Sequence, residues 1–220
     1  MENKSTSIIF DKNTVEFVTV AAEFCGFLER TTEVKRSDFI DKALKLLPLL
    51  YLKASLLPKG GRVDEFDEPE TFVTEGDYER IRGSVAALMG ELDDYLDVFL
   101  DDMAFSDTPI RQTISENLAD IYQVLKDFIC VYQLGLDKTM NDALVICEER
   151  FAEYWGQCLV NAMRALHDVR YSRREDDDKE VGEDDLYTSS PLRNDVGVTE
   201  EDLYEGLDAG DDDGYGDRWE

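Results

Sequence analysis

Asp93, Asp97 and Asp101 stand four residues apart in a stretch whose apolar residues recur with a helical period. On a helix that spacing places the carboxylates on one face, and hard oxygen ligands of this kind hold Mg²⁺ or Ca²⁺. The plainer expectation is a solvated acidic face, because 51 Asp and Glu against 23 Lys and Arg make chance clusters common. His167 is the only histidine, which removes His-pair metal sites and every mechanism that needs two imidazoles. The thiols of Cys25, Cys130, Cys147 and Cys158 form no C-x-x-C pair and sit among apolar residues at helical spacing, so they read as buried small hydrophobes. Lys59-Gly60-Gly61-Arg62 lacks the spacing of a phosphate-cradling loop. Tyr154-Trp155-Gly156 reads as aromatic core, with Gly156 allowing a close helix crossing; a ligand pocket is the sharper alternative. No catalytic, cofactor-binding or metal-binding residue is assigned, and the chemistry points to binding rather than catalysis.

Five segments carry the apolar stripe of an amphipathic helix, and none of useful length alternates like a strand. The first runs from about Asn13 to Arg30 with Phe17, Ala21, Phe24 and Leu28 aligned. The second, from Ser37 or Asp38 to Leu57, aligns Ile40, Ala43, Leu47, Leu50 and Ala54, and Pro48 should kink it. A polar stretch over 59–76 reads as a long loop. The third helix is expected over Asp77–Met103 with Ile81, Val85, Leu88, Leu92, Tyr95, Phe99 and Met103 in line, and with Gly83 and Gly90 inside it. In the fourth, Ser115 suits the N-cap and Gly135 the position just past the C-terminus, and Leu118, Ile121, Tyr122, Leu125, Phe128, Ile129 and Tyr132 form the stripe. The fifth, about Thr139 to Tyr171, should pack on the fourth as an antiparallel hairpin.

The fold class is therefore an all-α bundle of about five helices ending in a long helical hairpin. A short extension covers 1–12, the bundle 13–171 and an acidic tail 172–220. That tail holds 19 acidic and 5 basic residues, half of the chain's net charge of −28, and is expected to be disordered. A negative charge of this size repels plain duplex DNA and anionic membranes. There is no apolar run long enough to span a bilayer, and Met1-Glu2-Asn3-Lys4 lacks the layout of a signal peptide. The expected location is the cytoplasm.

One basic stripe stands out. Arg164, His167, Arg170, Tyr171 and Arg174 recur every three or four residues at the end of the fifth helix. Cations there offset the helix dipole, and they also form a candidate interaction surface. The tail repeats an acidic element with two apolar anchors, Glu183-Asp184-Asp185-Leu186-Tyr187 and Glu200-Glu201-Asp202-Leu203-Tyr204. Leu186, Tyr187, Leu203 and Tyr204 complete the set of candidate interaction residues.

Leu46-Leu47-Pro48-Leu49-Leu50, Ile114-Ser115 followed by Leu118-Ala119-Asp120-Ile121, Trp155-Gly156 and Arg164-Ala165-Leu166-His167 together resemble a bacterial family, domain of unknown function 5063, over residues 14–171. The resemblance implies an all-helical fold and a bacterial cytoplasmic protein. It brings no activity, cofactor or catalytic residue with it. The leading functional expectation is a non-enzymatic module that binds a protein partner and carries an acidic modulatory tail. Two alternatives stay open: an acidic nucleic-acid mimic or accessory factor of DNA repair machinery, and a small metal-dependent enzyme using the acidic helix face.

Overall fold

The computed structural model describes residues 8–64, 69–97 and 109–172. Its contacts separate a unit ending at Ser172 from the segment 173–220, which lies outside the described residues. The first unit is built from α1 (Lys12–Glu29), α2 (Arg36–Ser55), α3 (Glu75–Met89), a two-stranded sheet of β1 (Asp94–Asp97) and β2 (Ile110–Thr113), then α4 (Ile114–Gln133), α5 (Asp137–Arg150) and α6 (Gly156–Tyr171). The architecture is a helical bundle. No helix among the described residues is long and apolar enough to cross a membrane.

The stripes bury as their spacing requires. Phe17, Ala21, Phe24 and Leu28 of α1, the five expected residues of α2, and Leu118, Ile121, Tyr122, Leu125, Phe128 and Ile129 of α4 all lie in one core. α4 is its axis, since α1, α3, α5 and α6 all pack against it. Gly135 ends α4 with φ +72°, a conformation that costs glycine nothing and other residues much. Helix α2 runs through Pro48 as one element.

Several boundaries differ from expectation, each for a local reason. α1 is capped by Asp11, whose carboxylate accepts from Asn13 N at 2.8 Å, and not by Asn13 or Thr14. α3 stops at Met89 because Gly90 turns the chain with φ +59° and ψ −130°, a region closed to residues with a Cβ. The expected helix through Met103 is therefore replaced by a short 3₁₀ turn and the antiparallel pair β1–β2, with Asp94 opposite Thr113 and Asp97 opposite Ile110. The acidic helix face does not form. Asp93 accepts from Ser115 N (2.8 Å) and Ser115 Oγ (2.6 Å), Asp97 is buried in β1, and Asp101 lies outside the described residues. Thr113, not Ser115, caps α4, since its side chain accepts from Glu116 N.

The loop after α2 is strapped down by two buried aspartates. Asp142 of α5 accepts from Val63 N (2.6 Å) and Asp64 N (3.0 Å), while Asp127 of α4 accepts from Phe72 N (2.6 Å) and Val73 N (2.8 Å). A buried carboxylate is costly unless hydrogen bonds replace its water, and peptide N–H groups do so here.

The fifth helix of the sequence is continuous, but it widens into a π-helical turn over Phe151–Trp155. Cys147, Phe151, Trp155 and Leu159 explain it: three successive four-residue steps each overshoot an α-helical turn by about 40°, and a wider turn absorbs the excess. Gly156 belongs to that turn and not to a helix crossing. A Cβ on it would stand 2.5 Å from Phe151 O, whereas one on Gly83 would meet nothing within 4 Å. Gly83 therefore does not serve a close approach of helices either. Gly156→Ala is expected to destabilise the protein by about 1–3 kcal/mol, and Gly83→Ala to stabilise it by about 0.5–1 kcal/mol. Paired thermal melts check both signs.

Candidate functional site

Helix α6 presents two faces to two different depressions. The first is a groove of about 500 Å³ shared with α2 and lined by Leu44, Val160, Met163, Arg164, His167 and Tyr171. Arg164, His167 and Tyr171 of the basic stripe thus meet in one place. Among the described residues no carboxylate lines this groove, although acidic residues outnumber basic ones by more than two to one in the chain. Tyr171 is 65% exposed and Val160 37%. α2 also exposes Leu49, Tyr51, Leu52 and Leu56.

The stripe's cations have structural partners as well. Arg164 Nη2 donates to Leu96 O at 3.1 Å, and Arg170 Nε donates to Asp41 Oδ1 at 2.6 Å. The His167 and Tyr171 rings lie 4.6 Å apart, and the Arg170 guanidinium stands 5.6 Å from the Tyr171 ring centre. These contacts fix the aromatic edge of the groove. Arg174, Leu186, Tyr187, Leu203 and Tyr204 lie outside the described residues.

The second depression is a polar cleft of about 540 Å³ between the sheet, α4 and the beginning of α6. The sequence reading missed it, because its residues come from segments far apart in the chain. Asp120 sits at its wall and accepts from both Tyr78 Oη (2.8 Å) and Tyr154 Oη. Burial, reinforced by the hydrogen bond to Asp120, raises both phenol pKa values. Asn117 donates its Nδ2 to Tyr95 Oη and to Thr113 O, each at 2.7 Å. The Cys158 thiol is pushed up to about 11, first by burial and then by the nearby charge of Asp120, so at neutral pH it is the protonated, unreactive form. Among the described residues, no three His, Cys, Asp or Glu side chains converge as a metal site.

Cys25 and Cys147 are buried free thiols whose ionisation burial also opposes, while Cys130 is half-buried. Trp155 is fully buried and is core, as expected, whereas Tyr154 is 51% exposed and lines the polar cleft.

A non-repeating all-helical domain with a small hairpin and a widened turn in its last helix is the class these features define. The chain belongs to the family described as domain of unknown function, DUF5063, whose pattern matches residues 8–172. It is similar to protein BF1032 from Bacteroides fragilis, whose crystal structure matches with a TM-score of 0.69 at 57% identity, over 76% of this chain and 98% of that one. No curated protein sequence matches it.

The pKa of Cys158 predicts how it reacts. Its thiolate fraction, and with it the rate of alkylation by iodoacetamide, should be negligible near pH 7 and climb as pH approaches about 11. Peptide mapping by mass spectrometry across that range reads the rate site by site. Rapid labelling of Cys158 at pH 7 would mean a thiol poised for chemistry.

Proposed function

We propose that this chain is a protein-interaction module whose α2–α6 groove receives a short acidic segment of a protein partner. The observation behind this reading is the groove itself: apolar Leu44, Val160, Met163 and Tyr171 beside Arg164 and His167, with no carboxylate in the lining among the described residues. An apolar trough with a cationic edge suits a peptide that inserts one or two large side chains and leaves carboxylates at the rim. An apolar groove open to solvent is a common place for binding on otherwise well-solvated proteins. The acidic balance of the remaining surface then confines such a partner to this one face, because like charges elsewhere repel it.

The chain's own composition supplies a fitting probe. Glu183-Asp184-Asp185-Leu186-Tyr187 pairs three carboxylates with two apolar anchors. A fluorescent peptide spanning residues 181–189 should bind a chain ending at Ser172 saturably, as read by fluorescence polarisation. Replacing its Leu and Tyr by Ala should weaken binding at least tenfold. So should Val160→Glu or Tyr171→Ala in the groove, both at exposed positions where the fold tolerates change. Binding that survives these substitutions, or that vanishes with modest salt whatever the anchors, would refute the groove reading.

A further inference from the structure

A third cavity, of about 280 Å³, lies between α4 and α5 and is bordered by the strap that Asp127 holds down. It shares no residue with the α2–α6 groove. Val124, Asp127, Phe128 and Val131 line it from α4, and their spacing of three and four residues makes them one helix face. Ala143, Ile146, Cys147 and Arg150 line it from α5 with the same spacing. Each helix thus brings an apolar face interrupted by one charge, and the two charges are opposite. Its volume falls just under the range of about 300–1,000 Å³ usual for small-molecule sites, so a ligand here is compact.

The two charges are accounted for unequally. Asp127 is buried, and its Oδ1 accepts from Phe72 N at 2.6 Å and from Val73 N at 2.8 Å. No described residue donates to its Oδ2. Arg150 is exposed and makes no ion pair among the described residues, neither with Asp127 nor with Glu70, the carboxylate that the strap adds to the lining. Nor does it offset a helix end. Phe151 N donates to Cys147 O and Glu148 O, so α5 passes straight into the π-helical turn and presents no open carbonyl terminus there. A cation and an anion therefore line one apolar cavity without neutralising each other.

We infer that this cavity binds a free α-amino acid with an apolar side chain of about leucine to phenylalanine size. Such a molecule carries a carboxylate, an ammonium and an apolar group on a single carbon. The Arg150 guanidinium donates to the carboxylate, in the forked geometry that suits it. Asp127 accepts from the ammonium through Oδ2, with Glu70 adding to the negative potential on that side. Val124, Phe128, Val131 and Ile146 take the side chain out of water. A neutral apolar molecule would leave both charges unanswered, and a simple cation or anion would answer one of them. Because the strap fixes Asp127 in place, little ordering of that carboxylate remains to be done on binding.

The test titrates the full chain with L-leucine and with L-phenylalanine by isothermal calorimetry. Glycine lacks the apolar group, isoamylamine the carboxylate and isocaproate the ammonium, and these three serve as controls. At least one of the two amino acids should bind saturably with a millimolar or tighter Kd, and each control should bind at least tenfold more weakly. Arg150→Gln, a change at an exposed position that keeps the fold, should weaken the amino acid at least tenfold, and Val160→Glu in the groove should leave it unchanged. Asp127 is unsuitable for substitution, since its loss would also release the strap. Absence of saturable binding by both amino acids, a control that binds as tightly as they do, indifference to Arg150→Gln or loss of binding on Val160→Glu would each overturn the inference.

Discussion

The structure turns on one buried indole. Trp155 is completely enclosed, and a buried N–H must be paired or it forfeits the gain from burying the ring. Its Nε1 donates to Cys147 O at 3.0 Å, two turns back along its own helix. That reach locks the residue at the base of the widened turn. Its ring stacks 6.5 Å from Phe17 and packs 4.7 Å from Phe151, and Phe17 in turn lies 5.6 Å from Phe128. Four large rings thus join α1, α4 and the last helix. Removing a buried Trp side chain typically costs about 3–5 kcal/mol, a large part of a single domain's net stability.

The same turn sets the direction of α6. One extra residue in a helical turn rotates everything after it by about 100°. Tyr154, Cys158 and Asn161 consequently face the polar cleft, and Val160, Met163, His167 and Tyr171 face the groove. Without the wide turn the residues after it would be rotated away from these surroundings by about 100°. Gly156 is the residue that makes the turn possible, since a methyl group there would collide with the Phe151 carbonyl. Packing at Trp155 and the chemistry of both depressions are therefore linked through a single backbone feature.

The stripes of α1, α2 and α4 were legible because burial on one face leaves a period that survives in the sequence. So was the Gly135 turn, and so was the grouping of Arg164, His167 and Tyr171. The end of α3 was not, because Leu92 and Tyr95 continue the helical phase of Ile81, Val85 and Leu88, while the interruption resides in the backbone angles of Gly90 alone. Asp93, Asp127 and Asp142 look like surface acids in the sequence. Each is buried or nearly so, and each is satisfied by N–H groups of another segment, which no local pattern encodes. The polar cleft escaped for the same reason: Asp97, Asn117, Asp120 and Asn161 converge only through tertiary packing. The four-residue steps from Cys147 to Leu159 were the one local signal that could have foretold the π-helical turn.

In a chain so rich in carboxylates, a surface that lacks acid is informative. The groove is one among the described residues, and on it rests the proposed reading of the chain as a binding module. Two-dimensional NMR of the ¹⁵N-labelled chain ending at Ser172, titrated with the 181–189 peptide, tests that reading most directly. The account predicts progressive shifts centred on Leu44, Val160, Met163, His167 and Tyr171, with the resonances of Asn117, Asp120 and Asn161 unmoved. Shifts scattered over the surface, or centred on the polar cleft with the groove silent, would contradict it.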